Sequence, residues 1–139
     1  MTDTDIDALL DADRIAVVGC SGTPGKAAHD VPAYLRERGY DVVPVNPNRD
    51  EVLGRPAADS LADVSESVDL VDVFRPSEEV SGIVDAAIER SRTRGDVRGI
   101  WLQRGIRDDE AAARAREAGL LVVQDRCMKV EHRRRRGGE

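Results

Sequence analysis

The chain alternates between short, unbroken apolar runs and longer stretches in which apolar positions recur every three to four residues. The runs are Arg14 to Cys20, Asp41 to Val45, Leu70 to Phe74, Gly99 to Leu102 and Leu120 to Val123. None shows the strict alternation of a strand with one wet face, so they read as strands buried on both sides, as in a parallel sheet. Helical stripes fill the intervals. Val31, Tyr34 and Leu35 share a face, and Val80, Ile83, Val84, Ala87 and Ile88 follow the i, i+3, i+4, i+7, i+8 spacing. Ser77 stands where it would cap this second helix, with Glu78 and Glu79 in its positive first turn. A third, alanine-rich helix is predicted from about Asp109 to Ala118, stopped by Gly119.

This alternation predicts an α/β fold: a Rossmann-like three-layer sandwich on a five-stranded, mostly parallel sheet. Right-handed crossovers suggest the strand order 3-2-1-4-5. Ile6, Leu9 and Leu10 mark a short covering helix near the start, and Pro32 sets the start of the first long helix near His29. The stretch from Pro47 to Ser67 has no long stripe and reads as loop with a short extra strand or helix. Residues 1–132 then form a single domain, and 133–139, opening on four arginines, a disordered tail.

Composition narrows the partners. Among 139 residues, 27 Asp and Glu outweigh 21 Lys and Arg, a net charge of −6 that repels nucleic-acid backbones. Phe74, Trp101, Tyr34 and Tyr40 are the aromatics, too few for a base-stacking surface. Lys26 and Lys129 are the lysines, and this acid-rich, lysine-poor balance resembles that of haloarchaeal proteins. No apolar run approaches the roughly 20 residues of a membrane span, and the acidic start is no signal peptide, so a cytoplasmic protein is expected.

The loop after the first strand, Gly19-Cys20-Ser21-Gly22-Thr23-Pro24-Gly25-Lys26, carries the candidate chemistry. It is no P-loop: the spacing before Gly25-Lys26 is one residue too long, and Ala27 stands where a hydroxyl should meet magnesium. Gly19, Gly22 and Gly25 also miss the GxGxxG dinucleotide fingerprint by one residue. Asn46 replaces the acidic residue that binds a ribose hydroxyl, which weakens the case for NAD. A glycine turn feeding a helix N-terminus still suits an anion, with Ser21, Thr23 and Lys26 adding donors. An ordinary tight turn with no ligand is the alternative.

The stretches IAVVGCSGTPGK, YLRERGYDVVPVNPNRDEVLGR, SVDLVDVFRPSEEV, GIWLQRGI and AAARAREAGLLVVQDRCMKVEH cover most of residues 14–132. Together they resemble the small stand-alone CoA-binding domain proteins, relatives of the CoA-binding domain of the succinyl-CoA synthetase α subunit. The resemblance implies coenzyme A or an acyl-CoA held along the strand C-terminal ends. Gly19, Ser21, Gly22, Thr23, Pro24 and Lys26 would then surround the pyrophosphate, and Asn46, Pro47 and Asn48 the adenosine. Phe74, Arg75 and Pro76 would follow the third strand, and Gln103, Gly105 and Ile106 the fourth. The chain departs from the family at Ala28, where a Ser or Thr often adds a phosphate donor. Lys26, Arg49, Arg75 and Arg104 are the cations expected in or beside these loops.

No nucleophile elbow or paired-carboxylate spacing is present, which favours a non-catalytic carrier or sensor. Two alternatives stand beside it: an NAD(H)-binding redox sensor, and an enzyme working on the CoA thiol through Cys127, whose neighbours Arg126 and Lys129 would favour a thiolate. A Cys20–Cys127 disulfide is not expected. Two strand spacings, roughly 9 to 10 Å, exceed the roughly 7 Å that Cα atoms of a disulfide allow. Cys20, Cys127, His29 and His132 follow no metal-ligand spacing, so no metal is expected, whereas a homodimer is plausible for so small a domain.

Overall fold

The computed structural model describes residues 2–137. Seven strands and five helices alternate along it. The strands are β1 (Arg14–Val18), β2 (Asp41–Val45), β3 (Glu51–Val52), β4 (Arg55–Pro56), β5 (Leu70–Val73), β6 (Gly99–Leu102) and β7 (Leu121–Val123). The helices are α1 (Asp3–Leu10), α2 (Ala27–Glu37), α3 (Val80–Arg94), α4 (Asp109–Glu117) and α5 (Met128–Arg135). β1, β2, β5, β6 and β7 form one all-parallel sheet, and each of the five apolar runs supplies one strand.

The strand order corrects the sequence expectation. It is β2-β1-β5-β6-β7, so the third long strand lies beside the first, not beside the second. In the terms used above the order is 2-1-3-4-5, not 3-2-1-4-5. Pro44 gives the physical reason. It has no N–H to donate, which confines it to a strand edge. Its carbonyl faces outward and accepts from the Ala58 amide at 3.0 Å, where a full neighbouring strand would also need the missing donor. β5 is apolar at three of its four positions and buried at all four, as befits the centre of the sheet.

Alternate residues of each strand feed two separate cores. Ala16, Val71, Val73, Ile100 and Leu102 meet α3 and α4 on one face, whose contribution is Val80, Val84, Ala87, Ala111, Ala112 and Ala115. Ile15, Val17, Leu70, Trp101 and Val123 meet α1, α2 and α5 on the other, through Ile6, Leu9, Val31, Leu35 and Met128. Gly99 lets α1 close on the sheet, because a Cβ there would lie 2.4 Å from Leu9 Cδ2. Thr2 and Asp5 form a reciprocal capping box at the start of α1.

Two other local expectations change, and the short extra strand expected between Pro47 and Ser67 takes a definite form. The Ser77 hydroxyl accepts from the Arg107 amide at 3.0 Å and caps nothing, because a 3₁₀ turn over Ser77–Glu79 precedes α3. β3 and β4 form a hairpin within the predicted loop, turned by Leu53 and Gly54, both at positive φ (54° and 72°). A leucine at the first of those two positions hides the turn from a reading that seeks Asn-Gly. The arginine tail is helical through Arg135, and Arg135 and Arg136 pair with Asp3 and Asp7 of α1 and with Asp11 just after it. Gly138 and Glu139, the end of the expected tail, lie outside the described residues.

Candidate functional site

The glycine loop leaves β1 through a backbone conformation that only glycine adopts easily. Gly19 has φ 86°, and a Cβ there would meet the Phe74 carbonyl at 2.7 Å and Arg75 Cδ at 2.8 Å. The first glycine therefore serves a close crossing of the loops after β1 and β5. Its own amide donates to the Val45 carbonyl at 2.9 Å, which also ties the loop to the end of β2.

Pro32 fixes the other end of the loop. α2 begins at Ala27, two residues earlier than expected, because the cost of an internal proline is offset here. Pro32 has no N–H to give the Ala28 carbonyl, and that freed carbonyl accepts from the Ser21 amide at 2.9 Å. The proline thus creates the acceptor that folds the glycine loop back onto its helix. Asp30 adds a second tie, accepting from the Gly25 amide at 3.1 Å and pairing with His29 at 2.8 Å. The hydrogen bond from His29, then that from Gly25, holds the Asp30 carboxyl below its ordinary range. No side chain caps the N-terminus of α2. Lys26 and Arg49 stand beside the loop without a salt-bridge partner among the described residues, and Arg49 lies directly over Gly22.

Asn46 is spent on architecture. Its amide donates to the Cys20 carbonyl at 2.9 Å while its oxygen accepts from the Asn48 amide at 2.8 Å. It clips the loop after β2 to the glycine loop, at the position where a dinucleotide fold would carry its ribose-binding acid. Arg75 forms a two-pronged pair with Glu79, at 2.6 Å and 3.1 Å.

Between these loops and α3 opens a pocket of about 600 Å³. It lies where the connections leaving the neighbouring strands β1 and β5 turn to opposite faces of the sheet, the position at which open α/β sheets hold ligands. Of the predicted residues, Gly19, Asn46, Pro47, Asn48 and Arg75 line it. Ser21, Gly22, Thr23, Pro24 and Lys26 form the adjoining loop and do not line it. Phe74 packs toward the α2 side of the sheet, and Pro76 leads into the turn before α3. Gln103 is buried beneath the rim. Gly105 bonds to Asp125 at 2.6 Å, and Ile106 packs against the α3–α4 core.

Sequence reasoning missed Asp59, Ser60 and Leu61 from the long connection, Glu78 from the turn before α3, and Gly82 and Ile83 from α3. Gly82 was a readable signal. A glycine inside a helix costs about 1 kcal/mol relative to alanine, so its presence there points to a packing or functional reason. A Cβ there would meet only open space, so the glycine widens the groove.

The two thiols have different environments. Cys20 is buried, and desolvation, reinforced by Asp72, pushes its thiol up to about 12. Cys127 is half-buried at the N-cap of α5, and both cysteines are free. Three strand intervals, not two, separate β1 from β7. Asp72 is fully buried in β5, held by Gln103 at 2.5 Å, and its second oxygen has no partner. Burial raises its carboxyl to about 7. The Gln103 oxygen in turn accepts from the Met128 amide at 3.2 Å, so Asp72 reaches α5 through one side chain.

Comparison with known proteins agrees with this geometry. Residues 13–133 match the family model described as CoA binding domain, and the chain belongs to that family, whose cofactor is coenzyme A. It is 39% identical over 119 residues to the uncharacterized protein YneT of Bacillus subtilis, covering 86% of this chain and 84% of that one. A solved structure of a hypothetical protein from Pyrococcus horikoshii superposes with a TM-score of 0.88 at 39% identity, over 96% of this chain and 92% of the other. An ADP-forming acetate–CoA ligase of Methanocaldococcus jannaschii is 30% identical over 63 residues, 45% of this chain but 9% of the ligase. No helix among the described residues is long and apolar enough to cross a membrane.

Proposed function

We infer that the protein binds coenzyme A or an acyl-CoA across the C-terminal rim of the sheet and acts as a carrier or sensor, with no chemistry of its own on the ligand. The carrying observation is the pairing of a switch-point pocket with an adjacent anion loop. The uncapped start of α2, the turn at Gly22 and the uncommitted charges of Lys26 and Arg49 suit a pyrophosphate. The pocket beside them carries Asp59, Glu78 and Glu79, which repel phosphate and suit the hydroxyl and amide groups of the rest of the molecule.

Thermal unfolding with added ligand tests this reading, because a ligand that binds only the native state raises Tm by mass action. Coenzyme A at millimolar concentration is expected to raise Tm, and dephospho-CoA to raise it less. Stabilisation by NADH but not by coenzyme A would replace the reading with the redox-sensor alternative. Turnover of a CoA thioester or CoA disulfide that is lost in Cys127→Ser would replace the carrier with an enzyme.

A further inference from the structure

A second recess, about 360 Å³, opens on the same rim between the loops after β6 and β7. Its lining is cationic on an acidic protein: Arg104, Arg107, Arg126 and Arg134 face it against two carboxylates, Asp125 and Glu131. The two carboxylates offset only part of this charge. Asp125 is committed to the Gly105 amide at 2.6 Å, and it holds that bond from a left-handed backbone, φ 57°, that aspartate seldom adopts. Glu131 is buried and shared among Arg126 at 3.6 Å, Arg134 at 3.5 Å and Arg135 at 3.0 Å. Arg107 pairs with Asp109 at the surface, and Arg104 has no ion-pair partner among the described residues.

Resting on the CoA reading above, we propose that this recess receives a carboxylate at the far end of the acyl group, so that the preferred ligand is a dicarboxylic acyl-CoA. The chemistry of the ligand separates the two cation sets. Its pyrophosphate and 3′-phosphate sit on one ribose and therefore belong to one set of cations, Lys26 and Arg49 at the glycine loop. The neutral pantetheine arm leads away from them to the thioester. The recess lies about two strand positions along the rim from the β1–β5 switch point, roughly 10 Å at the level of the sheet. The positive charge left over there favours an anion, and guanidinium forks match a planar carboxylate. The thioester end supplies that anion only if the acyl chain carries one.

The test compares glutaryl-CoA with pentanoyl-CoA, which differ by one terminal carboxylate, by calorimetric titration of the full chain. Wild-type protein is expected to bind glutaryl-CoA at least tenfold more tightly, and Arg104→Gln and Arg134→Gln to lose most of that ratio. Both substitutions lie at the rim, outside the two cores, and circular dichroism checks their folding. Equal affinity for the two thioesters in wild-type protein overturns the proposal while leaving the CoA reading intact. Failure of coenzyme A and of both thioesters to bind overturns the reading and the proposal together. If Arg104→Gln instead abolishes the discrimination between coenzyme A and dephospho-CoA, the recess holds the 3′-phosphate and the proposal is wrong.

Discussion

The two faces of the sheet are built on different terms. The α3–α4 face meets the sheet with aliphatic side chains, alanines at Ala87, Ala111, Ala112 and Ala115 bringing helix backbones close to the strands, while buried Arg90 of α3 pairs with Asp96 and donates to the Leu61, Val64 and Glu66 carbonyls. The opposite face carries the one tryptophan, the buried Asp72–Gln103 pair, Cys20 and the N-terminus of α5. On one face the buried charges serve the connection before β5. The other runs a polar line from the centre of β5 to the rim where the ligand is proposed to lie. The difference lies in where the buried polar groups point: toward the long connection on one side, and toward the proposed ligand rim on the other.

The largest expected effect attacks the polar face at its anchor. Trp101 is fully buried and donates from its indole N–H to the Arg126 carbonyl at 2.8 Å. Trp101→Ala should destabilise by about 3–5 kcal/mol in urea unfolding. A loss below 1 kcal/mol would mean that this face relaxes around cavities.

Asp72 comes next, through pH. Its carboxyl is raised to about 7 in the folded protein, so the folded state holds a proton that the unfolded chain releases near pH 4. Stability from this group is therefore complete below about pH 4 and is lost as pH rises through 7. Between pH 5 and 8 the loss is on the order of 2–3 kcal/mol. Asp72→Asn should flatten that slope and make the variant more stable than wild type at pH 8. An unchanged slope would remove Asp72 as its cause.

On the aliphatic face the sensitive direction is overfilling. Ala115→Leu should cost about 1–3 kcal/mol, because its site between α4 and the sheet has no room for three more carbons. Denaturant titration checks it, and a neutral result would show that α4 slides freely. The smallest effect belongs to the seam between α5 and α1. Arg136 pairs with Asp11 at 2.8 Å, a largely exposed contact, so Arg136→Gln should cost less than about 1 kcal/mol, and less again in high salt.

Much of this was legible in the chain itself. The five apolar runs lie within a residue or two of the strands because doubly buried strands need continuous Val, Leu and Ile. The alanine-rich helix ends where Gly119 was expected to stop it. The glycine-rich turn feeding α2 was legible, but the side chains that close the pocket from the long connection and from α3 were not. Pocket lining depends on which distant loops meet, and no local period records that. Pro44 was the clue that went unused, since an edge-only residue in β2 already argued against placing that strand inside the sheet.

By itself, then, the sequence determined the elements, the two-sided burial of the strands and the family resemblance, because periodicity and composition are local properties of the chain. The tertiary structure alone decided the strand order, the recess of four arginines and the burial of Asp72 under α5. Each of these depends on which segments become neighbours. Neighbours far apart in sequence are chosen by the packing of the whole domain.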